Sequence, residues 1–263
     1  MKKKYNQCFD VSERNKDYLN VSIKRSKGKL PDMEVAKAYS KILNKIKNKN
    51  LSILDVGCLT GHFNRTFEKY LKKTYTYTGI DPWKIHINAA KKVWKKSNNT
   101  LFKLGWAQNI PFKKSQFDVV ICSNVLTHIP EIKKPIKEML RTTKKYLILR
   151  TPVHNKSYRI QMVLNSKWFK YTNVKPKNEF DSHGEPRVYE YYDVHSFDYL
   201  KSTINKISPK SKIKFIKDVY FSKKNIQNKN EKKLNKTMII NGQQVSDLLI
   251  LPHYFVIVEK SSN

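Results

Sequence analysis

The segment Leu51–Phe63, LSILDVGCLTGHF, constrains the chain more than any other stretch. An apolar run ends in an acid, Asp55, and passes at once into a turn with glycines at 57 and 61, followed by an amphipathic segment from His62 to about Leu71. Such a pattern predicts a buried strand, a tight turn and a helix start, the geometry that brings backbone amides up to a ligand. An acid at the strand end argues against a phosphate cradle, because a pyrophosphate is repelled where an ammonium is attracted. The expected ligand therefore carries an amine or a sulfonium beside a nucleoside.

Strand and helix signals alternate from there: strand 51–55, helix 62–72, strand 75–81, helix 84–96, strand 101–105, strand 117–122, helix 131–141 and strand 145–150. Alternation of this kind predicts an α/β fold with a doubly wound, mostly parallel sheet, and ligands of such sheets sit at the carboxyl ends of the strands. YTYTGIDPW (75–83) ends a second strand in Asp81, 26 residues after Asp55, where a carboxylate can accept both ribose hydroxyls.

With LFKLGWAQNIPF (101–112), FDVVICSNVLTHIP (117–130) and KKYLILRTP (144–152), these motifs resemble, in order and spacing, the class I S-adenosylmethionine (SAM) methyltransferases, whose first motif is written DVGCGTG. The resemblance covers about Leu51 to Pro152, with a weaker echo from Tyr192 onward. It implies a Rossmann-like sheet of seven strands, SAM as cofactor with S-adenosylhomocysteine as product, and methyl transfer to oxygen, nitrogen or sulfur of a small-molecule acceptor. By resemblance, Asp55, Gly57, Cys58, Thr60 and Gly61 hold the amino-acid end of SAM, Asp81 the ribose, and Trp83, Trp106, Ala107 and Gln108 the adenine. Ser123 and Asn124 fall near the reacting centre. Two departures stand out. Leu59 replaces the middle glycine, and Trp106 replaces an acid that reads the adenine amine, leaving only stacking or an indole N–H for that contact. Alternatives stay open: Asp55 can cap the next helix, Trp83 can be core, and His128 can be structural or an acid/base.

The remainder is organised around that half. Residues 1–50 are expected to form an N-terminal helical cap, with a helix over Pro31–Ile46 and a basic loop before it that folds over the cofactor mouth. Residues 51–263 form the SAM-binding domain. Within it, 151–190 interrupts the alternation with the aromatic cluster WFKY, tyrosines, His154, His183 and Glu185, and reads as an acceptor-binding lid. His128, His154, Tyr158, His183 and Tyr189 are the candidate catalytic residues. A helix is expected over 193–207, two edge strands over 212–221 and 253–260, and a flexible excursion over 222–252, with a hairpin signal at Asn241-Gly242.

Composition narrows the class. The net charge is +32, yet only seven of the 53 basic residues are arginine, and the lysines are spread along the chain. A solvated surface is favoured over a nucleic-acid interface, which leans on arginine; RNA or protein as acceptor, or a non-catalytic SAM-binding subunit, are the alternative readings. Three cysteines without paired or metal-ligand spacing fit a reducing, cytoplasmic setting and imply no metal. The basic N-terminus lacks an apolar stretch behind it, and the longest apolar run, 11 residues broken by Pro252 and His253, is too short to span a bilayer. Sequence says nothing of oligomeric state.

Overall fold

The computed structural model describes residues 16–163, 178–218, 237–240, 243–246, 249–250 and 252–261. Strands β1 (Asn50–Val56), β2 (Thr74–Asp81), β3 (Thr100–Leu104), β4 (Phe117–Ser123) and β5 (Thr143–His154) run parallel. The order across the sheet is β3-β2-β1-β4-β5, and it is completed by β12 (His253–Glu259), antiparallel to both β5 and the edge strand β8 (Lys212–Lys217). β1 is buried nearly end to end, as a central parallel strand with both faces covered must be, whereas edge β8 is nowhere fully buried.

Helices cover both faces. On one side α2 (Glu34–Asn44), α3 (His62–Tyr70) and α4 (Lys84–Val93) bury Tyr39, Leu43, Phe67 and Ala90 against Ile53, Tyr77 and Ile121. On the other, α5 (Lys133–Thr142) and α6 (Phe197–Ile207) bury Ile136, Met139, Leu200 and Ile204 against Leu54, Val120, Leu147 and Val256. α2 is thus part of the main core, and the expected boundary at residue 50 does not divide two cores. The stretch before it, expected to be a loop, is helix α1 (Lys16–Ser26), which packs on α3 and α4. Its apolar spacing is poor, and hydroxyl contacts described below hold it instead.

The segment after β5 is more regular than its sequence suggests. β6 (Tyr158–Val163) and β7 (Tyr189–Ser196) form an antiparallel pair, and β7 continues alongside the end of β5. Residues 193–196, expected to be helical, belong to β7, and α6 starts at Phe197 because the Ser196 hydroxyl caps it by accepting from the Tyr199 N–H. The WFKY cluster lies outside the described residues. So does Asn241-Gly242, although β9 (Thr237–Ile240) and β10 (Gln243–Ser246) pair antiparallel on either side of it, with β11 (Leu249–Ile250) beyond. Within 222–252, the described residues 237–240, 243–246 and 249–250 are therefore strand.

The strand order reverses between β1 and β4. A crevice opens at the carboxyl ends of those two strands, where open α/β sheets take their ligands.

Candidate functional site

The crevice is a cleft of about 400 Å³. Its sheet side is built by the ends of β1, β2 and β4: Asp55, Gly57, Leu59, Asp81, Trp83, Ser123 and Asn124. Its other side is built by Tyr18, Val21, Ser22 and Arg25 of α1, by His62 and Phe63 at the start of α3, and by His128 and Tyr192.

Asp55 is buried at the tip of β1, and the Tyr77 hydroxyl donates to its Oδ2 at 2.5 Å. Burial raises its carboxyl to about 7; the Tyr77 bond works against that rise and the nearby Asp81 charge adds to it. Among the described residues Oδ1 has no partner, and it opens to the cleft. A buried acid with one satisfied and one open oxygen is suited to a cation, and it makes no helix-capping bond.

The turn after β1 is locked onto the sheet. Gly57 N and Cys58 N donate to the Ile80 carbonyl at 2.8 and 3.0 Å, Gly61 N to Cys58 O at 2.8 Å, and Leu59 N to Asp81 Oδ2 at 3.0 Å. The expectation that this turn lifts its amides to a ligand is therefore corrected: these four donors are used internally. Gly57 needs its positive φ of 83°, and a Cβ there would stand 2.3 Å from Val125 Cγ2. Leu59 keeps the turn despite its side chain by adopting φ 51°.

Asp81 also accepts from Trp83 N at 3.0 Å, and its Oδ1 lies 3.0 Å from His86 Nδ1. The carboxylate thus joins the turn, the start of α4 and a fully buried histidine while facing the cleft. Tyr77 and His86 were not singled out by sequence reasoning. The period-2 pattern of β2 puts Tyr77, Gly79 and Asp81 on one face, which was the available signal for Tyr77.

Six of the expected cofactor residues do not line the cleft. Cys58 is buried behind the turn, where a Cβ on Gly79 would come within 2.6 Å of its Sγ. The Thr60 hydroxyl contacts Ser22 and Ser26 of α1 at 2.6 and 2.8 Å, and its carbonyl accepts from Trp94 Nε1 and Ser26 Oγ. Gly61 packs against Phe102 and Trp94. Trp106, Ala107 and Gln108 sit on the neighbouring loop, and Trp106 reaches the cleft only through edge contact with Trp83, ring centroids 5.9 Å apart. The other six, Asp55, Gly57, Asp81, Trp83, Ser123 and Asn124, are brought together.

Of the catalytic candidates, His128 alone lines the cleft. It ends the 3-10 turn 126–128, with Nδ1 3.3 Å from the Tyr191 carbonyl and its ring edge-on to Tyr192. A carbonyl only accepts, so Nδ1 bears the hydrogen and Nε2 offers a lone pair. Burial pulls the imidazole below the usual histidine range, which keeps it neutral, while the Tyr191 bond and Asp193 oppose the shift. His154 and Tyr158 meet edge-on at the outer end of β5 and β6, His183 is on an exposed turn, and Tyr189 packs on Tyr191. The stretch that forms α1 was expected over the cofactor mouth and does line the cleft, though as a helix and with none of its residues singled out; His62 and Tyr192 were missed, and no motif flags them.

The donor set fits a SAM-like molecule in part: an open buried carboxylate for an ammonium, a second carboxylate at the next strand end, and an indole beside it. Asp81 already holds three bonds, so it has fewer positions for ribose hydroxyls than an uncommitted carboxylate.

Residues 54–149 match the family model of a methyltransferase domain. The protein YcgJ of Bacillus subtilis, named an uncharacterized methyltransferase, is 27% identical over 94 residues, 35% of this chain and 36% of that protein. An uncharacterized methyltransferase of Schizosaccharomyces pombe is 31% identical over 108 residues, 38% of each. The chain thus spans under two-fifths of the curated relatives it matches. The solved YcgJ structure superposes with a TM-score of 0.51 at 15% identity, covering 88% of this chain and 100% of that one. A SAM-dependent methyltransferase of Methanosarcina mazei does so with 0.53 at 17%, covering 84% and 98%. These likenesses concern the fold. No helix among the described residues is long and apolar enough to cross a membrane.

Proposed function

We propose that this chain, whose residues 54–149 match a methyltransferase domain, is a class I SAM-dependent methyltransferase, and that it methylates a small-molecule acceptor held between the sheet and α1. The carrying observation is the cleft itself. Its volume of about 400 Å³ lies near the lower end of small-ligand sites, so a bound cofactor leaves room only for a compact reacting group. SAM supplies a methyl group on a positively charged sulfur. Asp55 Oδ1 receives an ammonium, Asp81 orients the neighbouring portion, and Trp83 contributes a flat apolar wall. Positioning of this kind accounts for much of the rate of a displacement whose leaving group needs no proton. His128 Nε2 takes the acceptor proton where there is one to take. The sulfonium and the ammonium are both opposite in charge to the buried carboxylates of Asp55 and Asp81, which is why a cation is favoured over a phosphate here.

Calorimetry with SAM and S-adenosylhomocysteine, followed by a screen with methyl-labelled SAM against metabolite and RNA pools, tests the proposal. Micromolar binding and a gain of about 14 Da (one methylene) on a metabolite are expected. Folded protein that binds neither nucleoside refutes the cofactor assignment. Label transferred only to RNA, with the steep salt dependence of phosphate contacts, makes the lysine surface of the +32 chain the acceptor platform instead.

A further inference from the structure

Two residues that line the cleft, Asn124 and His128, each carry a polar atom whose hydrogen-bonding sense is fixed by the protein. The first is on Asn124, at the end of β4. Its backbone is in the left-handed region at φ 56°, its N–H donates to Arg150 O at 2.8 Å, and its carbonyl accepts from the Thr127 hydroxyl at 2.9 Å. Its side-chain Oδ1 accepts from Arg150 Nη1 at 2.8 Å. Arg150 is clamped in turn: its Nε donates to Asp218 Oδ2 at 2.7 Å, with the two side chains 2% and 1% exposed. A guanidinium has donors only, so the carboxamide oxygen must face it and the NH₂ must face away. Among the described residues that NH₂ has no partner, and it opens to the cleft that Asn124 lines. Arg150 and Asp218 are therefore positioning residues that aim a donor.

The second atom is His128 Nε2, an acceptor because Nδ1 is held by the Tyr191 carbonyl. It too has no partner among the described residues. One 3-10 turn separates it from Asn124.

We infer that the acceptor is a hydroxyl compound with an apolar body, its O–H donating to His128 Nε2 and its oxygen accepting from Asn124 Nδ2. The inference rests on the methyltransferase reading and narrows it. The choice follows from counting lone pairs. A hydroxyl oxygen has one hydrogen and two lone pairs: the hydrogen meets His128, one pair meets Asn124, and one remains to attack. A neutral amine has a single pair, and using it for Asn124 leaves none for attack. An ammonium sets donors against the Asn124 donor. A carboxylate sets lone pairs against His128. A thiol is a weak donor and a weak acceptor. The apolar body follows from Met33, Val35, Phe63 and Tyr192 around the cleft.

In the balanced step the hydroxyl oxygen forms a bond to the methyl carbon, and the carbon–sulfur bond breaks with its electron pair left on sulfur, which becomes a neutral thioether. The hydroxyl proton moves to His128 Nε2 and then to solvent.

Two measurements test this. In nitrogen-15 spectra of the complex with S-adenosylhomocysteine, His128 should show hydrogen on Nδ1, and phenol should shift the Nε2 and Asn124 side-chain amide signals, while benzylammonium at equal concentration, whose donors oppose the Asn124 NH₂, leaves the amide signal in place. Hydrogen on Nε2, or equal response to both probes, overturns the inference without turnover being needed. Products of the labelled screen should be methyl ethers, and Asn124→Ala should lower kcat/KM for the hydroxyl acceptor at least about a hundredfold, as when a site built to bond a hydroxyl loses its partner. N-methyl or thioether products overturn the acceptor class and leave methyl transfer standing. Absence of SAM binding sinks the underlying reading instead.

Discussion

On the sheet side of the cleft, Asp55 is braced by Tyr77, Asp81 joins Leu59, Trp83 and His86, and the turn between them is tied to the Ile80 carbonyl. On the other side, α1 is attached by the hydroxyls of Ser22 and Ser26 to Thr60, and its Tyr18 remains 44% exposed. The first wall stands on core strands and keeps its geometry without a ligand. The second is a short helix that contributes no side chain to the main hydrophobic core, the kind of element that opens locally at low free energy. A cleft with one fixed and one loosely attached wall can admit a ligand and then exclude water around it.

The largest test of the fixed wall lies beneath it. Asp218→Ala leaves Arg150 charged and buried, which should cost about 3–5 kcal/mol in chemical denaturation. Replacing both residues by apolar ones of similar volume should restore most of that stability. The double variant nevertheless releases Asn124. If Asp218→Ala proves nearly neutral, the pair does not brace the post-β4 loop and the contrast between the walls loses its foundation.

Asp81→Ala comes next. Loss of its charged hydrogen bonds should weaken SAM at least about tenfold by calorimetry. It should also lower the melting temperature, because Leu59 N and Trp83 N lose their acceptor. Unchanged affinity in a folded variant would make Asp81 a structural tie alone.

The same contrast explains what could be read from the chain. β1, β2 and β4 appeared within one residue of their observed bounds, β1 and β4 because a buried parallel strand is a nearly continuous apolar run and β2 through its alternation; β5 (Thr143–His154) was read only over 145–150, and Asp55 and Asp81 were legible as acids near the ends of β1 and β2. The face of each turn residue was not legible. Cys58, Thr60 and Gly61 were grouped with Gly57 by motif, yet the left-handed backbone at Gly57, Leu59 and Gly61 turns successive residues in different directions, into the core or toward α1. α1 itself escaped because its apolar spacing is weak and its hold is through hydroxyls, which leave no periodic trace. β6 and β7 escaped because their pairing joins residues far apart in sequence, Tyr158 opposite Val194 and Val163 opposite Tyr189. His154, Tyr158, His183 and Tyr189 were drawn together by residue type and by their place in the 151–190 segment, whereas among the described residues of that side His128 and Tyr192 are the ones that reach the cleft.

Asp55 sharpens the comparison through pH. An aspartate titrates near 3.8 in the unfolded chain and about 7 here, pushed up by burial. Between those values the native state holds a proton that the unfolded chain has released, so this group's contribution to stability falls as pH rises from about 4 through 7. An ammonium needs the carboxylate, so SAM should bind about tenfold more weakly at pH 6 than at pH 8. Asp55→Asn should weaken SAM binding and flatten this dependence. A titration slope that survives in the variant assigns the proton elsewhere.

The smallest effect is expected at the α1 latch, and it separates the walls most directly. Ser26 donates to Thr60 O at 3.0 Å and contacts Thr60 Oγ1 at 2.8 Å, while Ser22 holds the same hydroxyl at 2.6 Å. Ser26→Ala removes one side of this arrangement and leaves Thr60 paired with Ser22. A net loss of about 1 kcal/mol, typical of an intramolecular hydrogen bond, should speed hydrogen exchange of the α1 amides about fivefold. Amides of β1, including those of Asp55 and Val56, should exchange at their original rate, because their opening requires the core of the sheet rather than the helix above it. SAM affinity should stay within about threefold, under about 0.7 kcal/mol. Acceleration shared equally by α1 and β1 would show that the two walls open as one unit. In that case access to Asp55 and Asp81 would be governed by the sheet, and α1 would not act as the opening side of the cleft.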